Sequence, residues 1–122
     1  MLQGRASRGL PPFHNAVLLA TIVQAADGLA YLHERDLIHR QVEARSLLVC
    51  SFDDSNVGLV KVQFGGAANA TGAVEGRSAL GRFEWKSIEV FDFDRWSISS
   101  DVWAMGVTLW EVFSCGRLPC FA

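Results

Sequence analysis

The chain has 122 residues, of which 50% are hydrophobic, so it is one globular domain or part of one. At this length a chain buries roughly 65% of its unfolded surface, which is enough for a modest core. Its 11 basic and 13 acidic residues give a net charge of -2, which makes no electrostatic case for nucleic acid or an anionic membrane surface. We expect no signal peptide and no membrane span, because no stretch approaches the roughly 20 apolar residues that a spanning helix needs.

The three cysteines predict reduced thiols. Cys50 is isolated, and Cys115 and Cys120 flank a short turn. An odd number without a Cys-x-x-Cys pair is typical of a cytosolic chain. A disulfide between Cys115 and Cys120 is the less favoured alternative.

The first half of the chain predicts a lead-in and then a helix. Residues 1–15 contain recurring glycine and proline, which favour a loop or a disordered segment. Asn15 is the expected N-cap of the helix, which should end near residues 34–36. Gly28 within it suggests close packing against a neighbour. The apolar face comprises Leu18, Leu19, Ile22, Val23, Ala26, Leu29, Ala30 and His33.

Two short strands and a long loop are expected next. Residues 46–50 and 59–62 are apolar runs separated by the polar turn residues 51–58, which predicts a β-hairpin. Residues 65–81 are rich in glycine and alanine and have almost no large apolar side chains. Loops of this length in compact domains are usually functional or disordered.

A last helix is predicted over residues 102–113. The serine pair at 99–100 with Asp101 marks its start, because an acid is favoured near the positive end of a helix. Only Thr108 and Glu111 interrupt its apolar surface, so such a helix belongs in the middle of a protein, and we expect the elements that cover it to lie outside this chain. Together the elements predict a mainly α fold with a short β-hairpin.

Several motifs follow one another in the order of a protein kinase C-lobe. Residues 37–49 read LIHRQVEARSLLV, the layout of His-Arg-Asp, four residues, Asn and an apolar strand. VKVQFG at 60–65 resembles the strand into Asp-Phe-Gly, and WKSIE at 85–89 resembles Trp-x-Ala-Pro-Glu. SDVWAMGVTLWE at 100–111 resembles the central helix of a tyrosine-kinase C-lobe. An ordered series is more specific than one motif, and an unrelated α-rich domain would not explain it.

The resemblance covers residues 16–122 and implies a partial, α+β kinase-like domain, degenerate at its active site. Gln41 stands where the family has its catalytic Asp, and Arg45 matches the Arg of the tyrosine-kinase Ala-Ala-Arg. Ser46 stands at the metal-binding Asn and Gln63 at the Asp of Asp-Phe-Gly. Gln41 cannot take a proton at pH 7, and losing a general base typically removes roughly 10²–10⁴ in rate. Magnesium prefers charged oxygens, which neither Ser46 nor Gln63 offers.

Positions that have structural roles in the family match it better than the catalytic and metal-binding positions do. His39 and Phe64 match its packed spine, Leu48 matches the floor of the adenine pocket, and Asp101 matches an acid that accepts hydrogen bonds from the catalytic-loop backbone. Taken singly, His39 is better interpreted as an ordinary core histidine and Asp101 as an ordinary first-turn acid. The remaining matched positions are Arg40, Gly65, Glu89 (an acid expected to be solvated or mispaired) and Trp103.

The resemblance implies a pseudokinase-like fragment with a binding or allosteric role in signalling. We expect no cofactor for this chain itself, ATP and Mg²⁺ entering by family resemblance only, and no metal site. Protein partners are expected, including the rest of a kinase domain, and nucleic acid is not. The expected location is the cytoplasm, including the cytoplasmic part of a longer receptor. Two alternatives stay open: part of an active kinase that uses atypical residues, and a non-functional truncated product.

Overall fold

The computed structural model of the chain describes residues 13–53, 55–65 and 83–114. This part is mainly helical and contains one two-stranded antiparallel sheet, which confirms the predicted fold class. Short 3₁₀ turns lie at Ala44–Ser46, Val57–Leu59 and Phe83–Trp85. The helices and strands in chain order are α1 (Asn15–His33), β1 (Leu47–Ser51), β2 (Lys61–Phe64), α2 (Ile88–Phe93) and α3 (Ile98–Phe113).

Helix α1 ends at His33, one residue before the predicted range 34–36, and begins one residue earlier than predicted. His14 is the N-cap and has no side-chain cap bond, so the prediction that Asn15 caps the helix is wrong. The backbone carbonyl of His14 accepts from the amides of Val17 and Leu18, and these two hydrogen bonds form the first turn of the helix. A Cβ added at Gly28 would lie 3.9 Å from Phe64, an ordinary contact, so this position does not require glycine. The buried face is narrower than predicted and comprises Val17, Leu18, Ile22, Ala25 and Leu29, while Leu19 and Val23 are exposed.

By length and composition alone, α1 is long and apolar enough to cross a membrane. The expectation that no stretch approaches this length and apolar content is therefore wrong for α1. The core helix of a soluble domain meets the same criteria. The contacts of α1 are those of a packed helix, because the Gln24 amide reaches the backbone of the hairpin. Its Nε2 donates to the Val60 carbonyl at 2.7 Å and its Oε1 accepts from the Val62 amide at 2.8 Å.

Strands β1 and β2 form the predicted hairpin, displaced by one or two residues. Leu47 pairs with Phe64, and Val49 pairs with Val62. An irregularity follows Val49, since the next pair in register joins residues 51 and 61. Val62 packs with Val60 on Val17 of α1, which fixes the hairpin on that helix.

Helix α3 begins at Ile98 rather than at residues 99–100. Ser97 is its N-cap and forms a capping box with Ser100: the Ser97 hydroxyl accepts from the Ser100 amide, and the Ser100 hydroxyl accepts from the Ser97 amide. Such reciprocal bonds satisfy two of the amides that a helix start leaves open. The serine pair in the sequence therefore lies inside the first turn.

One face of α3 is buried and the other, apolar face is exposed in the described part of the chain. Thr108 and Glu111, taken from sequence as interruptions, lie on the buried face. The Thr108 hydroxyl donates to the Ala104 carbonyl at 2.8 Å, which satisfies it inside the core. The exposed face carries Val102, Trp103, Leu109, Trp110 and Phe113.

The short helix α2 was not predicted. Its apolar residues alternate irregularly, and it ends at Asp94, whose φ of 53° is left-handed. Most of the predicted long loop, residues 1–12, Cys115 and Cys120 lie outside the described residues.

Candidate active site

The carboxylate of Asp101, in the first turn of α3, is the centre of the site. Asp101 is 1% exposed. Its Oδ2 accepts from the His39 amide at 2.8 Å, and its Oδ1 accepts from the Arg40 amide at 3.0 Å. His33, at the end of α1, donates from Nε2 to Oδ2 at 2.9 Å. A buried charge is tolerated only when it is paired and hydrogen-bonded, and these three donors meet that need.

The backbone at Arg40 has a left-handed conformation, with φ of 72°. Such a conformation in a residue other than glycine costs of order 1–3 kcal/mol and persists where its surroundings enforce it. Here the Asp101 carboxylate enforces it by taking two successive amides. The hydrogen bonds to Asp101 therefore set the backbone conformation near the start of the segment 39–46. This segment is called loop 39–46 below.

His39 connects loop 39–46 to the end of β2. Its ring is 0% exposed. Its Nδ1 accepts from the Gln41 amide at 3.1 Å, so Nε2 carries the proton and donates to the Gly65 carbonyl at 2.7 Å. The ring also packs against Phe64, with centroids 5.2 Å apart. His39, Phe64 and Gly65, matched separately in the sequence, are therefore brought together.

The three positions expected to carry chemistry hold neutral side chains in different surroundings. The Ser46 hydroxyl donates to the Gln41 backbone carbonyl at 2.5 Å, which closes loop 39–46 on itself. The Gln41 side chain is partly buried, whereas Gln63 is exposed on β2, where its backbone pairs with Leu48. Across the described ranges no group of three or more His, Cys, Asp or Glu side chains could hold a metal ion.

A small pocket of about 20 Å³, room for about one water molecule, lies beside loop 39–46. Gln41 and Glu43 line one side of it, and Glu43 is 6% exposed. The Arg40 guanidinium lies 5.6 Å from the centre of the Trp96 ring, and its Nε is buried with no hydrogen-bond partner among the described residues. Burial lowers the pKa of Lys86, which also lines the pocket, and the charge of Asp94 opposes that shift.

Glu111 is a site residue that sequence reasoning missed. It lies on the buried face of α3 with 9% exposure. Its Oε1 accepts from the Ala44 amide at 3.0 Å and from the Trp85 indole at 2.8 Å. One signal could have found it: Asp101, Thr108 and Glu111 are seven and three residues apart, a spacing that places polar groups on one helix face.

The other matched positions lie around this frame. Arg45 is exposed in the 3₁₀ turn, and Leu48 is about half exposed on β1. The Trp103 indole donates to the Glu84 carbonyl at 3.2 Å. Glu89 is partly buried in the first turn of α2, and its carboxylate forms no hydrogen bond or ion pair with any described residue.

Comparison with known proteins gives one consistent family. The family model described as protein tyrosine and serine/threonine kinase matches residues 7–122. Tyrosine-protein kinase Btk of Drosophila melanogaster is 39% identical over 84% of this chain and 13% of its own length. Tyrosine-protein kinase csk-1 of Caenorhabditis elegans is 33% identical over 93% and 20%, respectively. Human non-receptor tyrosine-protein kinase TNK1 is 36% identical over 89% and 16%. The chain thus spans a fifth or less of the length of these three relatives.

Proposed function

The chain belongs to the protein tyrosine and serine/threonine kinase family, and on that premise we propose that it is a kinase-like domain that no longer transfers phosphate. Its role in this proposal is binding or allosteric, within a signalling protein. One observation carries the proposal: the hydrogen bonds that shape loop 39–46 are intact, while Gln41, Ser46 and Gln63 leave its chemical positions without a carboxylate. In this proposal loop 39–46 keeps its backbone conformation, while the side chains for acid–base catalysis and metal binding are lost.

The donor chemistry at these positions does not fit Mg²⁺. This ion binds hard, preferably charged oxygens in near-octahedral geometry. Gln41 and Gln63 offer neutral amide oxygens, and Ser46 offers a neutral hydroxyl on a short side chain that is held against the Gln41 carbonyl. The proposed function therefore involves no metal ion held by these three residues. Without a carboxylate at 41, a substrate hydroxyl would also lack the group that orients it and takes its proton.

The binding role rests on what the domain exposes. Leu48, at the family's adenine-pocket position, presents an apolar side chain on β1, and the apolar face of α3 is open in the described residues. We propose residues 16–122 as the kinase-like part, with other protein segments, including the rest of a kinase domain, as partners. The proposed location is the cytoplasm, alone or as part of a longer receptor, in keeping with the few scattered cysteines.

The test is a phosphotransfer assay on the full-length chain with ATP and magnesium, comparing wild type with Gln41→Ala. We expect equal incorporation at background level in both. Incorporation by the wild type that disappears in Gln41→Ala would contradict the proposal. Circular dichroism of both proteins controls for folding.

Glu43 favours one second candidate, an active kinase that uses atypical residues. It is a buried carboxylate two residues from Gln41 and lines the same pocket. If Glu43 replaces the missing base, Glu43→Gln abolishes incorporation while Gln41→Ala leaves it unchanged. Background incorporation in the wild type removes this candidate.

A further inference from the structure

Helix α3 carries two buried carboxylates that hold opposite ends of loop 39–46. Asp101 accepts from the amides of His39 and Arg40, and Glu111 accepts from the amide of Ala44. Ten residues of helix separate the two acids, which is about 15 Å along the axis. Because both contacts use backbone amides, they fix the path of the loop whatever side chains it carries.

Glu111 also reaches a second segment, the 3₁₀ turn Phe83–Trp85. The Trp85 indole donates to the same Oε1 that accepts from Ala44. The turn has one more tie to α3, because the Trp103 indole donates to the Glu84 carbonyl. This second tie does not involve Glu111. Two indoles of the same kind thus hold the same turn, and only one shares an acceptor with loop 39–46.

We propose that Glu111 is a positioning residue that couples the turn Phe83–Trp85 to loop 39–46. Its carboxylate has two donors among the described residues, and both use Oε1. If Trp85 withdraws, a buried charge loses half of its hydrogen bonds, and burial of a poorly satisfied charge is strongly unfavourable. The flexible side chain then turns toward water and leaves the Ala44 amide. A movement of the turn is therefore transmitted to the loop through one oxygen atom.

The coupling goes beyond the proposed function and does not depend on it. It uses no residue at which the family's acids are replaced, so it operates whether or not phosphate is transferred. A partner that binds beside the turn, next to Lys86, would change the backbone of loop 39–46 without touching it.

The test is hydrogen exchange resolved to single amides in the full-length chain, comparing Trp85→Phe with Trp103→Phe. Each variant removes one indole bond from the same turn, so the second is a matched control. In Trp85→Phe we expect exchange at the Ala44 amide to become about 10-fold faster, the loss of one hydrogen bond, while the His39 and Arg40 amides stay within about 2-fold. In Trp103→Phe the Ala44 amide should stay within about 2-fold of wild type. Unchanged exchange at Ala44 in Trp85→Phe, or an equal increase in both variants, would overturn the proposal.

Variants of Glu111 itself give an independent readout. Glu111→Gln keeps an acceptor oxygen for both donors, so exchange at Ala44 should stay within about 2-fold of wild type, whereas Glu111→Leu should raise it about 10-fold. Equal exchange in the two variants would refute a positioning role. If Glu111→Leu fails to fold, the pair of tryptophan variants decides the question alone.

Discussion

Replacement of Asp101 by asparagine tests the frame of the site most directly. The carboxylate is buried and accepts from the amides of His39 and Arg40 and from the His33 ring. Asparagine keeps one acceptor oxygen and turns an NH₂ group toward donors. At least one buried amide is then left unsatisfied, and each such group costs about 1–3 kcal/mol.

The expected loss of stability is about 2–4 kcal/mol, from one unsatisfied amide, the lost charge assistance and the NH₂ group facing a donor. Two effects keep it from being larger. His33 is 14% exposed and can bond to water instead. The left-handed backbone at Arg40, which costs of order 1–3 kcal/mol, can relax once it is released. A loss of this size is a large part of the roughly 5–15 kcal/mol that holds a domain folded.

The assay is urea unfolding followed by circular dichroism, with Asp27→Asn as the control. Asp27 is exposed on α1, and its replacement should change the free energy of unfolding by less than about 0.5 kcal/mol. If Asp101→Asn loses no more stability than this control, the carboxylate does not hold loop 39–46, and the reasoning about the frame is refuted.

Three further changes follow from single contacts. Ser46→Ala removes the hydroxyl that donates to the Gln41 carbonyl and should cost about 1 kcal/mol in urea unfolding; no loss would show that this bond does not close the loop. Ser55→Ala removes the hydroxyl that is the main cause of the lowered pKa of Asp53, so an NMR titration should find that pKa moved back toward 3.8, and an unchanged value would contradict this cause. Burial lowers the pKa of Lys86, so the unfolded chain binds the proton more tightly, and stability should rise as pH increases through the lowered pKa toward 10.5. Lys86→Met should remove this rise in pH-dependent unfolding, and an equal rise in the variant would assign it to other groups.

Local patterns in the sequence predict the helices and strands better than they predict the contacts between them. The hairpin was predicted because both of its strands are apolar runs bounded by turn residues, and the pairing confirms it with a shift of one or two residues. Helix starts were less accurate, since Asn15 lies one residue from the true cap His14, and the serines at 99–100 lie two and three residues from the true cap Ser97. Neighbouring polar residues are all plausible N-caps, so the start of a helix is generally uncertain by a few residues.

Residues whose partners are distant in the chain were harder to predict. A helix-start acid is a recurrent local signal that predicts Asp101 in a first turn, but its contact with the loop was expected only from the resemblance to kinases. Glu111 was missed because its partner Trp85 lies 26 residues away, so only the fold brings the two together. Helix α2 was missed for a different reason: the six residues from Ile88 to Phe93 are too few to separate helical spacing from alternation.

The contacts around Gln41 explain how chemistry can be lost while shape remains. The Gln41 amide donates to His39 and its carbonyl accepts from Ser46, and both are backbone groups that any residue except proline provides. Asp101 and Glu111 likewise bind amides of the loop rather than its side chains. A substitution at position 41 therefore leaves these bonds in place, and selection can remove the acid without dismantling the frame. Replacement of the acid at position 41 is therefore compatible with the hydrogen bonds that shape loop 39–46.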